Sequence, residues 1–132
     1  MAETGQNAFV MDASAIVALL DREQGFERVA AVLGKSAMST VNLAEVQSRA
    51  ALQGHDPDAI ALHLEFAGLR FEPFTSADAA AAGALRPLTR ALGLSLADRA
   101  CLAVAARLFL PVLTSDRALA RSRTGVDIEL IR

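Results

Sequence analysis

The chain has no tryptophan, no tyrosine and a single cysteine among its 132 residues. Without the two amphipathic aromatics, the base-stacking platforms of many single-strand nucleic-acid binders are largely excluded, and the six phenylalanines are assigned to the core. Cys101 alone can neither close a disulfide within the chain nor supply a thiolate cluster for zinc. It sits in the apolar stretch 100–106 and reads as a small core hydrophobe. A basic excess is missing too: the formal net charge of -2 exerts no global pull on nucleic acid, so any such binding must come from a local patch or a metal. Hydrophobic residues make up 53% of the chain but fall in short runs, none approaching the roughly 18 uninterrupted apolar residues of a membrane-spanning helix. Residues 1–8 carry Glu3 and lack the basic-then-apolar pattern of a secretory signal. These features lead us to expect a cytoplasmic protein with no membrane association, a flexible segment over 1–8 and one domain over 9–132.

Short apolar runs alternate with helical stretches, the pattern of βαβ units around a mainly parallel sheet. Strands are expected at 9–11, 37–39, 70–74, 111–114 and 126–131. Between them the apolar spacing predicts helices over 14–20, 26–33 with Gly34 as the stop, 42–52 and 57–69. An alanine-rich helix capped by Ser76 and divided at Pro87 precedes Gly93, another helix runs from Ser95 to about residue 110, and a helical turn starts at Arg117. The expected fold class is α/β, a three-layer α/β/α sandwich.

Four acids stand apart from the solvated charges because each has apolar neighbours and lies at or near the start of an element: Asp12, Glu45, Asp98 and Asp116. In an open parallel sheet, ligands bind beyond the carboxyl ends of the strands, where Asp12 and Asp116 fall. Each position also admits a purely local role. Asp12 and Asp116 can act as helix N-caps, Ser95 to Asp98 fits the capping-box spacing, and Asn42 to Glu45 is a looser version of it. An oxygen-only cluster suits Mg²⁺ or Mn²⁺ better than zinc.

The words around these acids carry more information than the acids alone. Phe-Val-Met-Asp-Ala-Ser-Ala at 9–15, Asn-Leu-Ala-Glu-Val at 42–46, Leu-Ser-Leu-Ala-Asp-Arg-Ala-Cys-Leu-Ala at 94–103 and Leu-Thr-Ser-Asp-Arg at 113–117 resemble, in order, the motifs of PIN-domain nucleases, most closely VapC-like toxins. The resemblance spans 9–132. It implies a PIN-like sandwich with Asp12, Glu45, Asp98 and Asp116 as catalytic and metal-binding residues, and Ser14 and Ser115 as supporting polar groups. It further implies hydrolysis of RNA to a 5′-phosphate and a 3′-hydroxyl, a homodimer, and an antitoxin encoded as a separate chain. A PIN nuclease of RNA maturation or decay, or an inactive PIN-like binding module, shares the same motifs.

The residue types make chemical sense. Several carboxylates a few ångströms apart repel one another, and a divalent ion that neutralises them can also activate water for in-line attack on a phosphodiester. Arg99 and Arg117 adjoin two of the acids, with Arg121 and Arg123 nearby, and are candidate phosphate contacts or solvated surface charges. Two rival readings rest on other residues. A metal-free ribonuclease would need His55 and His63, a pair separated by Pro57. A phosphoacceptor domain would need a lysine at a late strand end, but the sole lysine is Lys35.

Overall fold

The computed structural model describes residues 8–132, so the segment expected at 1–8 lies, except for Ala8, outside the described residues. The sheet is built from β1 (Val10–Met11), β2 (Ala37–Ser39), β3 (Arg70–Glu72), β4 (Val112–Thr114) and β5 (Ile128–Leu130). They lie in the order β3-β2-β1-β4-β5 with every pairing parallel. The three inner strands are buried along their whole length and their sequences Val-Met, Ala-Met-Ser and Val-Leu-Thr accordingly carry no charged residue. β3 and β5, at the edges, are only partly buried and carry Arg70, Glu72 and Glu129.

Strand alternation creates two cores. Phe9, Met11, Met38 and Leu113 face one side of the sheet, where they pack with Ile16, Val29, Val46 and Leu64. Those partners come from α1 (Ala13–Asp21), α2 (Phe26–Val32), α3 (Thr40–Leu52) and α4 (Pro57–Phe66). Val10 and Val112 face the other side and meet Leu102, Val104 and Leu119 from α7 (Leu96–Leu108) and α8 (Arg117–Ala120). Neighbouring residues of one strand thus feed different cores, which is what makes the sandwich three layers deep. Among the described residues no helix is long and apolar enough to cross a membrane.

Several helix boundaries differ from the sequence expectation, each for a capping reason. α3 begins at Thr40, two residues before the predicted start, because the Ser39 hydroxyl accepts from the Val41 N–H. Glu45 therefore lies in the second turn, outside any capping box, and Asn42 is buried in the first. α5 (Ser76–Ala84) is capped by Thr75 in a reciprocal box with Asp78, so Ser76 is its first helical residue. The chain then turns at Leu85, and Pro87 occupies the first turn of α6 (Arg86–Thr89), where its missing N–H is harmless.

Asp78 has a second duty. Its carboxylate takes a two-pronged bond from Arg107 on α7, at 2.9 and 3.0 Å, and Arg107 also reaches Glu72 of β3 at 3.1 Å. The Arg107 guanidinium holds Asp78 below the usual carboxylate range, and Arg70, aided by Arg107, does the same for Glu72. One arginine so ties α5 and the sheet edge to α7.

Glycine is required where α2 meets the C-terminal strand. Gly25 has φ +93°, and a Cβ there would stand 2.4 Å from the Ile131 carbonyl oxygen. Gly83 has open space at its Cβ position near the end of α5. Gly25→Ala should lower unfolding stability by about 1–3 kcal/mol, and Gly83→Ala should raise it by about 0.5 kcal/mol. Urea unfolding of the two variants gives opposite signs if this geometry holds; a stability-neutral Gly25→Ala would contradict it.

Candidate functional site

The strand order reverses between β1 and β4: the chain runs outward through β2 and β3, then returns to the opposite side of β1. A crevice at the carboxyl ends of the strands is expected at that switch point. Val10 is registered with Val112 and Met11 with Leu113, so the next residues, Asp12 and Thr114, stand side by side. Asp12 is only 4% exposed.

Although Asp12 occupies the N-cap position of α1, its side chain caps nothing. Its Oδ2 instead accepts from the hydroxyls of Ser14, at 2.7 Å, and Thr114, at 2.8 Å. The two hydroxyl oxygens are 3.0 Å apart, but each has one proton, and both protons are committed to the carboxylate. Each hydroxyl oxygen also accepts one bond. Ser14 Oγ accepts from the Ser115 N–H at 3.0 Å, and Thr114 Oγ1 accepts from the Asp116 N–H at 2.9 Å. Asp12 Oδ1 is left without a hydrogen bond among the described residues.

Asp98 and Asp116 do cap helices. Asp98 Oδ2 accepts from the Ser95 N–H at 2.9 Å while Ser95 Oγ accepts from the Asp98 N–H, a capping box at the start of α7. Asp116 Oδ1 accepts from the N–H groups of Ala118 and Leu119 at the start of α8. Each cap occupies one oxygen, so Asp98 Oδ1 and Asp116 Oδ2 are uncommitted.

The four acids share one electrostatic field. Burial pushes the Asp12 carboxyl above its ordinary pKa against the opposing effect of the Ser14 and Thr114 hydroxyls, and the charges of Asp98 and Asp116 push it further. Glu45 is raised by partial desolvation, then by Asp12 and Asp98, with Asn42 opposing. Glu45 is the most open of the set, so solvent screens its share. Below them Cys101 is fully buried, its thiol pushed well above the usual range by burial and then by Asp12, Asp98 and Glu45. That agrees with an inert core cysteine.

Among the described residues no group of three or more His, Cys, Asp or Glu side chains is gathered tightly enough to hold a metal ion outright. The caps turn Asp98 and Asp116 toward their own helix N-termini, and the carboxylates share a field without forming a close-set shell. Their chemistry still fits a hard divalent cation. The donors are all oxygens, and Asp12, Asp98 and Asp116 each keep one oxygen without a hydrogen bond among the described residues.

The model of the PIN domain family matches residues 9–123. The chain belongs to the PIN-domain family. PIN domains are nucleases, hydrolases of nucleic-acid phosphodiesters. Among solved structures this PIN domain is similar to a chain of a toxin-antitoxin complex from Klebsiella pneumoniae, with a TM-score of 0.73 and 19% identity over 94% of this chain and 98% of that one. It is similar to a chain of DNA-bound VapBC from Salmonella typhimurium, with a TM-score of 0.72 and 20% identity over 95% and 98%. A member of the VapBC family of toxin-antitoxin systems from Mycobacterium tuberculosis gives 0.61 and 27% identity, again over 95% and 98%. No curated protein sequence matches it significantly.

The remaining sequence candidates are placed differently. Ser14 joins the Asp12 network as a hydroxyl, but Ser115 contributes only its backbone N–H, because alternation at the end of β4 sends Thr114 inward and Ser115 outward. Thr114 is the supporting hydroxyl that sequence reading missed; knowing that β1 pairs with β4 would have exposed it. Arg99 leans on α5, with its Nη1 donating to the Ala82 carbonyl at 3.0 Å and its Nε buried without a partner. Arg117 is exposed as the first residue of α8, directly after Asp116. His55 follows the far end of α3 from the turn that carries Glu45, and Lys35 precedes β2 at the opposite end of the strand from the acids.

Asp12 gives a pH signature. Its folded-state pKa is raised, so its contribution to stability is present while it is protonated and is lost as pH rises through the raised value. Asp12→Asn retains an acceptor for Ser14 and Thr114 and has no charge to bury. In chelator, the stability of Asp12→Asn relative to wild type should therefore increase as pH rises above the ordinary aspartate value of 3.8, then level off once Asp12 is ionised. Urea unfolding from about pH 4 to about pH 8 measures the difference, and a flat difference would show that Asp12 is not perturbed.

Proposed function

We propose that this PIN domain is a Mg²⁺- or Mn²⁺-dependent endoribonuclease and the toxin of a toxin-antitoxin pair. The observation that carries the reading is Asp12, a buried carboxylate held by two hydroxyls at the switch point, with its charge coupled to Asp98 and Asp116 from two other elements. A structural acid in that position would be expected to meet an arginine or cap its helix, and Asp12 does neither.

In this reading Asp12, Glu45, Asp98 and Asp116 hold the cation, and Ser14 and Thr114 fix the rotamer of Asp12. The bound cation supplies a water of lowered pKa and neutralises charge growing on the phosphate. Asp98 and Asp116 are oriented by their caps, so the oxygen each presents is set before any ligand arrives. Arg117 is available to an RNA phosphate beside Asp116, whereas Arg99 would have to give up its bond to the Ala82 carbonyl.

The partner reading draws on the toxin-antitoxin complexes to which the fold is similar, and on an apolar surface. Leu20, Leu52, Leu62 and Phe66 are exposed on α1, α3 and α4, Leu52 at 91% and Phe66 at 94%. Leu62 and Phe66 are one helical turn apart and share a face. Such a patch suits an antitoxin helix or a second copy of the chain.

Purified protein incubated with RNA tests the catalytic reading. Cleavage should stop in excess chelator and return with Mg²⁺ or Mn²⁺. Asp98→Asn keeps an oxygen for the Ser95 cap, so it should remain folded while losing about 100-fold or more in rate. Cleavage that persists in chelator, or in folded Asp98→Asn, would refute the proposed site; metal binding with no cleavage of any RNA would mark an inactive binding module.

A further inference from the structure

An acidic site that attracts a cation repels a polyanion, and the net charge of -2 supplies no general attraction to offset this. Many arginines are engaged elsewhere: Arg28, Arg49, Arg70, Arg107 and Arg132 are each paired with a carboxylate. The segment from α8 onward differs. Arg117, Arg121 and Arg123 are all exposed, and none has a carboxylate partner among the described residues. Their placement is fixed by Asp116 and by the core. Asp116 caps α8 and its charge reaches Asp12, so the first turn of α8 stands at the acid set. Leu119 is fully buried two residues from each of Arg117 and Arg121, roughly 200° around the helix, so both arginines leave the solvent face, about 6 Å apart along the axis. Ser122 is buried in turn, its N–H and its hydroxyl both donating to the Leu119 carbonyl, at 3.1 and 2.8 Å. That closes the helix and leaves Arg121 and Arg123, on either side of Ser122, in solvent.

We infer that Arg117, Arg121 and Arg123 form a track for the phosphates of an RNA strand on one side of the scissile bond, running outward from Asp116. The inference rests on the nuclease reading above and names how its substrate is held. Three unpaired cations that follow one another from the edge of the site match the repeating charge of a nucleic-acid backbone, and the guanidinium fork suits phosphate oxygens. No aromatic residue occurs in 110–132, so the segment that carries the track offers nothing for a base to stack on. The track therefore supplies affinity and orientation without reading sequence. Its backbone is already ordered by the Asp116 cap and the Ser122 bonds, so only the arginine side chains have to settle when RNA arrives.

Fluorescence anisotropy with a labelled single-stranded RNA, on the full chain carrying Asp98→Asn in Mg²⁺ so that the strand stays whole, tests it from about 50 to 200 mM salt. Arg121→Gln and Arg123→Gln should each raise the RNA dissociation constant about threefold. Each should also reduce the steepness of log affinity against log salt by about 0.7, the release expected for one phosphate contact on a single strand. The loss should be equal for RNAs of different sequence. Lys35→Gln removes the same charge ahead of β2, at the opposite end of the strands, and should change neither quantity. With Asp98 restored, both arginine substitutions should raise KM while kcat stays within about twofold, because a remote phosphate contact holds ground state and transition state alike. Dissociation constants and salt slopes that match those of Lys35→Gln, or a loss confined to one RNA sequence, would overturn the inference alone. The expected arginine dependence of binding, in a protein whose wild type cleaves no RNA, would instead refute the nuclease reading and uphold the track.

Discussion

A carboxylate buried at the end of a central strand is the constraint around which this fold is arranged. Asp12 can be accommodated there because Ser14 and Thr114 both donate to one of its oxygens, and because each hydroxyl is itself held by an N–H group, of Ser115 and Asp116 respectively. The arrangement knits β1, the start of α1 and the end of β4 into one network. It also leaves one oxygen of Asp12 without a hydrogen bond among the described residues. Among the described residues no cationic side chain joins this network, so the carboxyl group is oriented without a counter-charge.

Capping and ligation are compatible at Asp98 and Asp116, because a carboxylate has two oxygens and a cap needs one. The N–H groups at the start of α7 and α8 orient each side chain. Local helix-start chemistry thereby sets the direction of the site carboxylates. Glu45 has no such cap and is the most exposed of the four; what locates it is the position of α3, and that in turn depends on the Ser39 cap and the Asn42 to Ala97 contact. The stabilising ion pairs lie elsewhere. Arg107 with Asp78 and Glu72 joins α5 and β3 to α7. Its carboxylates are held below their ordinary pKa by the arginines, opposite to Asp12 and Glu45, which burial raises.

The sequence by itself determined the element order, because apolar runs with period two and stretches with period 3.6 are local properties of the chain. Val10–Met11, Ala37–Ser39 and Val112–Thr114 are short, apolar and bounded by cap residues, and all three lie within the expected strands. Helix starts were less legible. Ser39 and Thr75 displaced Asn42 and Ser76 as first guesses because several hydroxyl and amide residues compete within one turn, and only the backbone angles decide which of them caps. The acid residues were visible one by one, but whether any of them capped a helix was not. Asp98 and Asp116 do, Asp12 does not, and the difference depends on Thr114, 102 residues away from Asp12. Tertiary structure alone decided that β4 lies beside β1 in the register that sets Thr114 against Asp12, and that α3 meets α7 where Asn42 finds Ala97. Register and helix docking are settled by packing two cores on one sheet, a sum over distant residues that no local stretch of sequence contains.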